Sequence, residues 1–294
     1  MTGIIIKAIG GLYTVEASDG VYECKARGIF RKKGVSPCCG DNVSISVEKD
    51  QSGMIEEILP RRSQIIRPPL ANLDVLVFVS SVCEPKPNLL LLDEFIAIAE
   101  YKKIVPVVVF TKIDKQDSSQ YAEIYRKAGL TVFEVNNMTG EGSGCVKQFL
   151  MGKLSAFTGN TGVGKSSLLN RIFPELDLAT NEISEKLGRG KHTTRHVQLF
   201  KLEGGGYIAD TPGFSSFDTN KYDIIYKDKL ADCFCDFREY LGKCRFQNCS
   251  HTKENGCAVI QAVNEGKISR SRHDSYISMY EQAKLLKEWE HKND

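Results

Sequence analysis

Residues 159–166 read Gly-Asn-Thr-Gly-Val-Gly-Lys-Ser, a G-x-x-x-x-G-K-S pattern. No other stretch constrains the fold as strongly, because this one works only between a strand end and a helix start. The flanks supply that context. Lys153 to Thr158 reads as a short strand. Ser166 to Phe173 places Leu168, Leu169, Ile172 and Phe173 at helical spacing, and Pro174 stops the helix. Glycines let the backbone of Gly159, Asn160, Thr161, Gly162, Val163 and Gly164 wrap a polyphosphate with N–H groups pointing inward. The helix N-terminus adds positive potential, because its first N–H groups have no intrahelical partner. Lys165 then reaches the outer phosphates, and Ser166 offers its hydroxyl to Mg²⁺. The competing reading is a glycine-rich turn with a solvated lysine. The correct flanks weigh against it.

The chain has 294 residues, 41% hydrophobic and 26% charged, which leaves room for two or three ordinary domains. Its net charge is only +2, so any basic surface must be local. Met1 to Gly11 is a β-like run broken by Lys7 and glycines, which is no secretory start. No stretch approaches the roughly eighteen apolar residues of a membrane helix, so no membrane partner is expected. Ten cysteines without a signal peptide point to a reducing, cytoplasmic setting, with metal ligation favoured over disulfides.

The first segment, 1–68, reads as all-β. Leu12 to Ala17 alternates, Asp19-Gly20 is a hairpin turn and Val21 to Ala26 returns. Val43, Ile45 and Val47 alternate with Ser44, Ser46 and Glu48, and Met54 to Leu59 follows a turn. Short strands at this density predict a small barrel of the OB type, although an SH3-like barrel would leave a similar pattern. Such barrels often bind nucleic acid. Arg27, Arg31, Lys32, Lys33, Arg61, Arg62 and Arg67 are candidate contacts, or else a solvated rim.

The middle segment, 69–222, alternates apolar runs with helical stretches. Leu73–Val82, Val105–Phe110 and Leu130–Val135 are nearly unbroken apolar runs, as expected of strands covered on both faces. Leu89–Tyr101 and a stripe of Tyr121, Ile124, Tyr125 and Ala128 lie between them. This predicts a doubly wound α/β domain. The second run ends in Thr111-Lys112-Ile113-Asp114, which is similar to the [N/T]-K-x-D guanine-reading element of GTPases. A carboxylate at Asp114 can accept from guanine's ring N–H and exocyclic amine together. Adenine lacks that donor pair and would leave the acid unpaired. Lys112 would lie along the base. GTPases usually carry a Ser-Ala pair after the next strand, where Asn136-Asn137 stands here.

Past the phosphate loop comes Gly188-Arg189-Gly190-Lys191-His192-Thr193-Thr194. Thr194, with Thr193 second, is the candidate threonine that senses Mg²⁺ and the γ-phosphate. Asp210-Thr211-Pro212-Gly213 then gives a D-x-x-G switch, with Asp210 holding Mg²⁺ through water and the Gly213 N–H meeting the γ-phosphate. The next residue is Phe214, where Ras-like enzymes place a water-orienting glutamine. A phenyl ring cannot orient water. His192 is the internal candidate for that catalytic role, beside Thr194 and Lys165, or else it contacts a partner or shapes the loop. The guanine element precedes the phosphate loop and the switches follow it, an order that resembles a circular permutation.

In the last segment, 223–294, Cys244-x4-Cys249-x-His251-x5-Cys257 offers three thiolates and one imidazole, a set suited to a closed tetrahedral Zn²⁺ site. Few large apolar residues surround these ligands, so metal binding is expected to supply much of the folding energy. Cys233 and Cys235 are alternative ligands, and a set of buried thiols is the competing reading. Lys267, Arg270, Arg272 and His273 precede Tyr276 and Tyr280, a mix that suits either RNA contacts or a solvated helix packed by its aromatics.

Taken together, these motifs resemble the ribosome small-subunit-dependent GTPase A family, over essentially the whole chain. The resemblance implies an N-terminal OB-type barrel, a circularly permuted P-loop GTPase domain and a mostly helical zinc-binding C-terminal domain. It implies that the protein binds GTP and GDP with Mg²⁺ and one structural Zn²⁺. It further implies a monomer that binds 16S rRNA of the small ribosomal subunit late in assembly and leaves on GTP hydrolysis. The family's guanine residues carry over to Thr111, Lys112, Ile113 and Asp114, and its phosphate residues to Gly159 through Ser167. Its zinc ligands carry over to Cys244, Cys249, His251 and Cys257, and its switch histidine to His192. The family often has Glu-Pro before the last cysteine, where this chain has Glu254-Asn255-Gly256. The alternative is an rRNA-binding assembly factor that holds GTP only as a conformational ligand, a reading that Phe214 keeps open.

Overall fold

The computed structural model describes residues 1–32, 34–48, 52–176, 197–210 and 224–286. The chain divides into two compact units. One comprises Met1–Val77, Ser143–Thr161 and Lys165–Phe217; the other comprises Phe78–Gly142, Gly162–Gly164 and Asp218–Asp294.

The first unit begins with strands β1 (Thr2–Ile9), β2 (Leu12–Ala17), β3 (Gly20–Ala26), β4 (Asn42–Val47) and β5 (Ser52–Ile58). Their order is β1-β2-β3-β5-β4, and β4 pairs back onto β1 with Gly3 opposite Val43. The sheet is therefore a closed barrel without a free edge. β3 and β5 run parallel, with Lys25 opposite Met54, and the short helix α1 (Ile29–Lys32) lies in the β3–β4 connection. A parallel β3–β5 pair, with a helix between β3 and β4, is an OB-type arrangement rather than an SH3-like meander. Period-2 alternation puts Ile5, Val15, Cys24, Val43, Ile45 and Ile55 inside.

One basic residue taken from the sequence as a candidate RNA contact has another use. Asp41 is fully buried, and Arg61 donates from Nε and Nη2 to its two carboxylate oxygens at 2.7 Å each. The Cys38 amide donates to the same group at 2.8 Å. Arg61 is a strut beneath the barrel, since a buried carboxylate needs its charge matched.

A two-stranded hairpin of β6 (Gln64–Ile65) and β7 (Leu70–Ala71) follows the barrel. Strand β8 (Val75–Ser81) begins in the first unit and ends in the second. The second unit continues with α2 (Leu89–Tyr101), β9 (Val105–Thr111), α3 (Ser119–Lys127) and β10 (Thr131–Val135), and β9 and β10 pair in parallel. The Asn88 side chain accepts from the Leu91 amide at 3.1 Å and caps α2, so the helix starts where the apolar stripe does. In the first unit come α4 (Ser143–Leu150), β11 (Leu154–Thr158), α5 (Lys165–Ile172), β12 (Gln198–Lys201) and β13 (Tyr207–Asp210). β13 runs parallel to β11 and antiparallel to β12, and β12 meets barrel strand β1 at Lys7. The α5 helix begins one residue earlier than its apolar spacing predicts. α4 has only Val146 and Leu150 fully buried, too sparse a stripe to read from sequence.

The C-terminal part of the second unit holds α6 (Lys227–Leu230), α7 (Ala258–Asn264) and α8 (Arg270–Ala283). Its core joins Phe234, Phe237, Val259, Ala262 and Tyr276 to Ala97 and Ile98 of α2. Arg272 and His273, which the sequence offers as RNA contacts, are instead inside. Arg272 is 0% exposed and donates to Asp93 on α2 at 2.7 Å and to Asp236 at 2.8 and 3.2 Å. Burial pulls its charge down, but the two carboxylates more than offset that and hold it protonated. Among the described residues, no helix is long and apolar enough to cross a membrane.

Candidate guanine-nucleotide and zinc sites

In the second unit, β9 delivers Thr111 to its C-terminal end, fully buried. The Thr111 hydroxyl donates to the Val163 carbonyl at 2.5 Å. The chain then turns sharply. Lys112 takes φ +60°, and the Lys115 amide donates back to the Lys112 carbonyl at 3.0 Å. This turn leaves Asp114 exposed, with its carboxylate in solvent, and Ile113 half-buried. The Lys112 ammonium donates to the Glu84 carbonyl. The next strand, β10, ends in a compact loop. Asn136 Oδ1 accepts from the Met138 amide at 2.9 Å and the Thr139 amide at 3.3 Å. Asn137 Nδ2 donates to the Gly164 carbonyl at 3.0 Å. Gly164 has φ +91°, and a Cβ there would stand 2.8 Å from that amide nitrogen. Only glycine meets both the backbone twist and the contact.

In the first unit, β11 ends at Thr158 and Gly159 opens the phosphate loop with φ +140°. The Lys165 ammonium donates to the carbonyls of Gly159 at 2.5 Å and Asn160 at 3.2 Å. Burial lowers its pKa. The lysine folds over its own loop, and among the described residues its ammonium meets these carbonyls and no carboxylate. Ser166 is half-buried and Ser167 exposed in the first turn of α5, whose Leu168, Leu169 and Ile172 anchor it to the core. An oxygen donor beside a polyphosphate cradle suits Mg²⁺. β13 ends on Asp210 as expected. The Asp210 side chain, His192, Thr193, Thr194, Gly213 and Phe214 lie outside the described residues.

The four cysteine and histidine ligands come together in the second unit, with all four ligand atoms within 4.8 Å of one another. Cys244 Sγ is 3.5 Å from His251 Nδ1 and 3.8 Å from Cys257 Sγ, and His251 Nδ1 is 3.4 Å from Cys257 Sγ. Tetrahedral zinc, with bonds of about 2.3 Å to sulfur and 2.0 Å to nitrogen, spaces its sulfurs about 3.8 Å apart and its nitrogen about 3.5 Å from each sulfur. The donor set fits the ion in identity and spacing. Burial pushes the Cys249 thiol up to about 12, a penalty that a bound cation reverses. Cys233 and Cys235 do not join: their thiols donate to the Lys229 carbonyl at 3.3 Å and the Ala128 carbonyl at 3.0 Å.

Supporting groups that sequence reasoning missed hold the ligand loop. His251 has φ +57°, a strained value for a residue with a Cβ. His273 Nε2 donates to its carbonyl at 2.7 Å, which explains why His273 is buried. Tyr276 Oη donates to the Ser250 carbonyl at 2.9 Å. Glu254 accepts from the Ser250 amide at 2.8 Å and from the Thr252 and Lys253 amides at 3.1 Å. Burial raises its pKa, but the Ser250 hydroxyl and these amides outweigh that and hold it at about 2.

Comparison with known proteins bears on the family and the fold. Residues 58–220 match the RsgA GTPase family and residues 2–55 the RsgA N-terminal domain. The small ribosomal subunit biogenesis GTPase RsgA of Caldanaerobacter subterraneus subsp. tengcongensis is 42% identical over 294 residues, covering 99% of this chain and 98% of its own. The protein of the same name from Alkaliphilus metalliredigens is 44% identical over 282 residues, covering 94% and 96%. The crystal structure of YjeQ from Thermotoga maritima superposes with a TM-score of 0.84 at 33% identity, covering 97% of this chain and 99% of that one. YloQ, described as a circularly permuted GTPase, superposes with a TM-score of 0.79 at 36% identity, covering 97% and 96%. With a T-K-x-D element preceding a G-x-x-x-x-G-K-S loop in a chain that matches over nearly its full length, the chain belongs to the RsgA GTPase family.

Proposed function

We propose that this protein hydrolyses GTP while bound to the small ribosomal subunit during its late maturation, and leaves the subunit after hydrolysis. The Thr111–Val163 bond carries the nucleotide part of the reading: the base-reading strand end is fastened to the phosphate loop. The relatives named for small-subunit biogenesis support the choice of partner. In this reading the chain has three functional segments, 1–68, 69–222 and 223–294, and works as a cytoplasmic monomer.

Asp114 accepts from the two guanine N–H donors, and Lys112 lies along the base. The loop amides from Gly159 to Lys165, with the Lys165 ammonium, neutralise the phosphates. Ser166 and Thr194 would hold Mg²⁺, with Asp210 reaching it through water; the ion supplies charge neutralisation on the transferred phosphoryl group. His192 orients the attacking water, a task Phe214 cannot perform. Zinc bound by Cys244, Cys249, His251 and Cys257 is structural, because four protein ligands leave no open position. The exposed cations Lys243, Arg245, Lys253, Lys267 and Arg270 of the second unit are offered to 16S rRNA.

Phosphate release measured against small-subunit concentration tests this reading. The expected result is slow turnover alone, marked stimulation by the subunit, and loss of stimulation in His192→Ala. Tight GTP binding with no turnover under either condition would leave only the non-enzymatic assembly factor. ATP competing as well as GTP would remove the role given to Asp114.

A further inference from the structure

Asn136-Asn137 is the place where the chain departs from the expected Ser-Ala pair, and the structure gives the second asparagine a use. Its Nδ2 reaches the Gly164 carbonyl at 3.0 Å. Thr111, from the end of β9, holds the preceding carbonyl, that of Val163, at 2.5 Å. Two side chains from two different segments thus bind two successive carbonyls of the phosphate loop. All four residues lie in the second unit. The amide is oriented by logic alone: a carbonyl can only accept, so Nδ2 must face it and Oδ1 must face away. Oδ1 is buried with no hydrogen-bond partner among the described residues. A desolvated acceptor without a donor is unfavourable. An alanine here would carry no such penalty, so what Nδ2 does must offset it.

We infer that Asn137 is a positioning residue for the phosphate loop, acting through the Gly164 carbonyl. A trans peptide sets each N–H opposite the carbonyl before it. Fixing Val163 O fixes the direction of the Gly164 N–H, and fixing Gly164 O fixes that of the Lys165 N–H. Those are donors the polyphosphate uses. Asn137 supplies the second fixing bond, which the Ser-Ala pair of other GTPases has no comparable side chain to make. Gly164 cannot hold that orientation on its own, since at φ +91° it has no Cβ to restrict it. The ligand is the β-phosphate of a guanine nucleotide, so the inference rests on the nucleotide reading above.

The test compares GDP and GMP affinities by titration calorimetry in the full-length zinc-loaded protein, for the parent, Asn137→Ala and the near-isosteric Asn137→Asp. Aspartate keeps the shape, loses the donor and turns an acceptor toward the Gly164 carbonyl. The expected result is about a tenfold loss of GDP affinity in both variants, with GMP affinity and the thermal midpoint unchanged. The parent's preference for GDP over GMP shrinks by the same factor. Equal losses for GDP and GMP, or none, would overturn the assignment. Failure of the parent to bind GDP would instead remove the nucleotide reading itself, and this inference with it.

Discussion

Thr111 and Val163 are 52 positions apart in sequence, yet the threonine hydroxyl donates to the valine carbonyl at 2.5 Å. The residue that opens the proposed guanine-reading turn therefore also braces the G-x-x-x-x-G-K-S loop. A net hydrogen bond of this kind is worth about 1 kcal/mol. Thr111→Val should weaken GDP binding by roughly fivefold, and Thr111→Ser should stay near the parent. Calorimetric titration decides; an unchanged affinity in the valine variant would show that the brace does not act on the nucleotide.

Asp114 is exposed at the end of a turn set by the positive φ of Lys112. Its carboxylate is free to accept two N–H donors from one base edge. Asp114→Asn should cost on the order of a hundredfold in GDP affinity. Xanthosine diphosphate offers a carbonyl in place of the exocyclic amine and should recover binding in the variant. Displacement of a fluorescent nucleotide measures both, and full retention of GDP affinity would refute the role of Asp114.

The ligand spacings of Cys244, His251 and Cys257 lead to a stoichiometric expectation. Native mass spectrometry should find one zinc per chain. A zinc chelator, or Cys249→Ser, should abolish amide-exchange protection from residue 244 to α8, because metal binding and folding are coupled in such segments. Full protection without metal would show that the aromatic cluster suffices.

Arg272, Asp93 and Asp236 form a buried ionic group linking α8, α2 and the segment between them. Arg272→Ala strands two carboxylates and should destabilise the protein by about 3–5 kcal/mol. Asp93→Asn added to that variant should recover part of the loss. Denaturant melts give the answer. RNA affinity of the folded fraction should not change, since Arg272 has no exposed surface.

Glu134 accepts from the Ser118 hydroxyl and pairs with Arg126. Burial raises its pKa, but these two partners outweigh that and lower it below the ordinary glutamate value. A depressed acid stabilises the fold above its unfolded pKa, and that contribution is lost as pH falls through the folded value. Glu134→Gln should therefore be less stable than the parent by roughly 0.5–1 kcal/mol at pH 7, the pair being partly exposed. The gap should narrow below about pH 4. A gap that is constant with pH would assign the effect to shape rather than charge.

Much of the fold was legible because local patterns carry it. Leu89–Tyr101 and Leu12–Ala17 begin and end where their periodicity says. α7 was not legible: its seven residues form too short a run to show a helical period. The clustering of Cys244, Cys249, His251 and Cys257 was readable from spacing, whereas the groups that support their loop were not. His273 and Tyr276 look like a basic-aromatic surface in sequence, and they fold under the ligand loop instead.

The amino-acid sequence on its own determined the motifs of the chain: a G-x-x-x-x-G-K-S loop, a T-K-x-D element, a four-residue Cys/His set and the permuted order of the parts. These are short motifs whose residues act together because they are neighbours in the chain. Tertiary structure alone decided which polar side chains are tied into the fold. Arg272 is buried by an aspartate 179 positions away, and Asn137 finds a carbonyl 27 positions away. Burial and hydrogen bonding depend on what the folded chain brings alongside, and no local pattern encodes that.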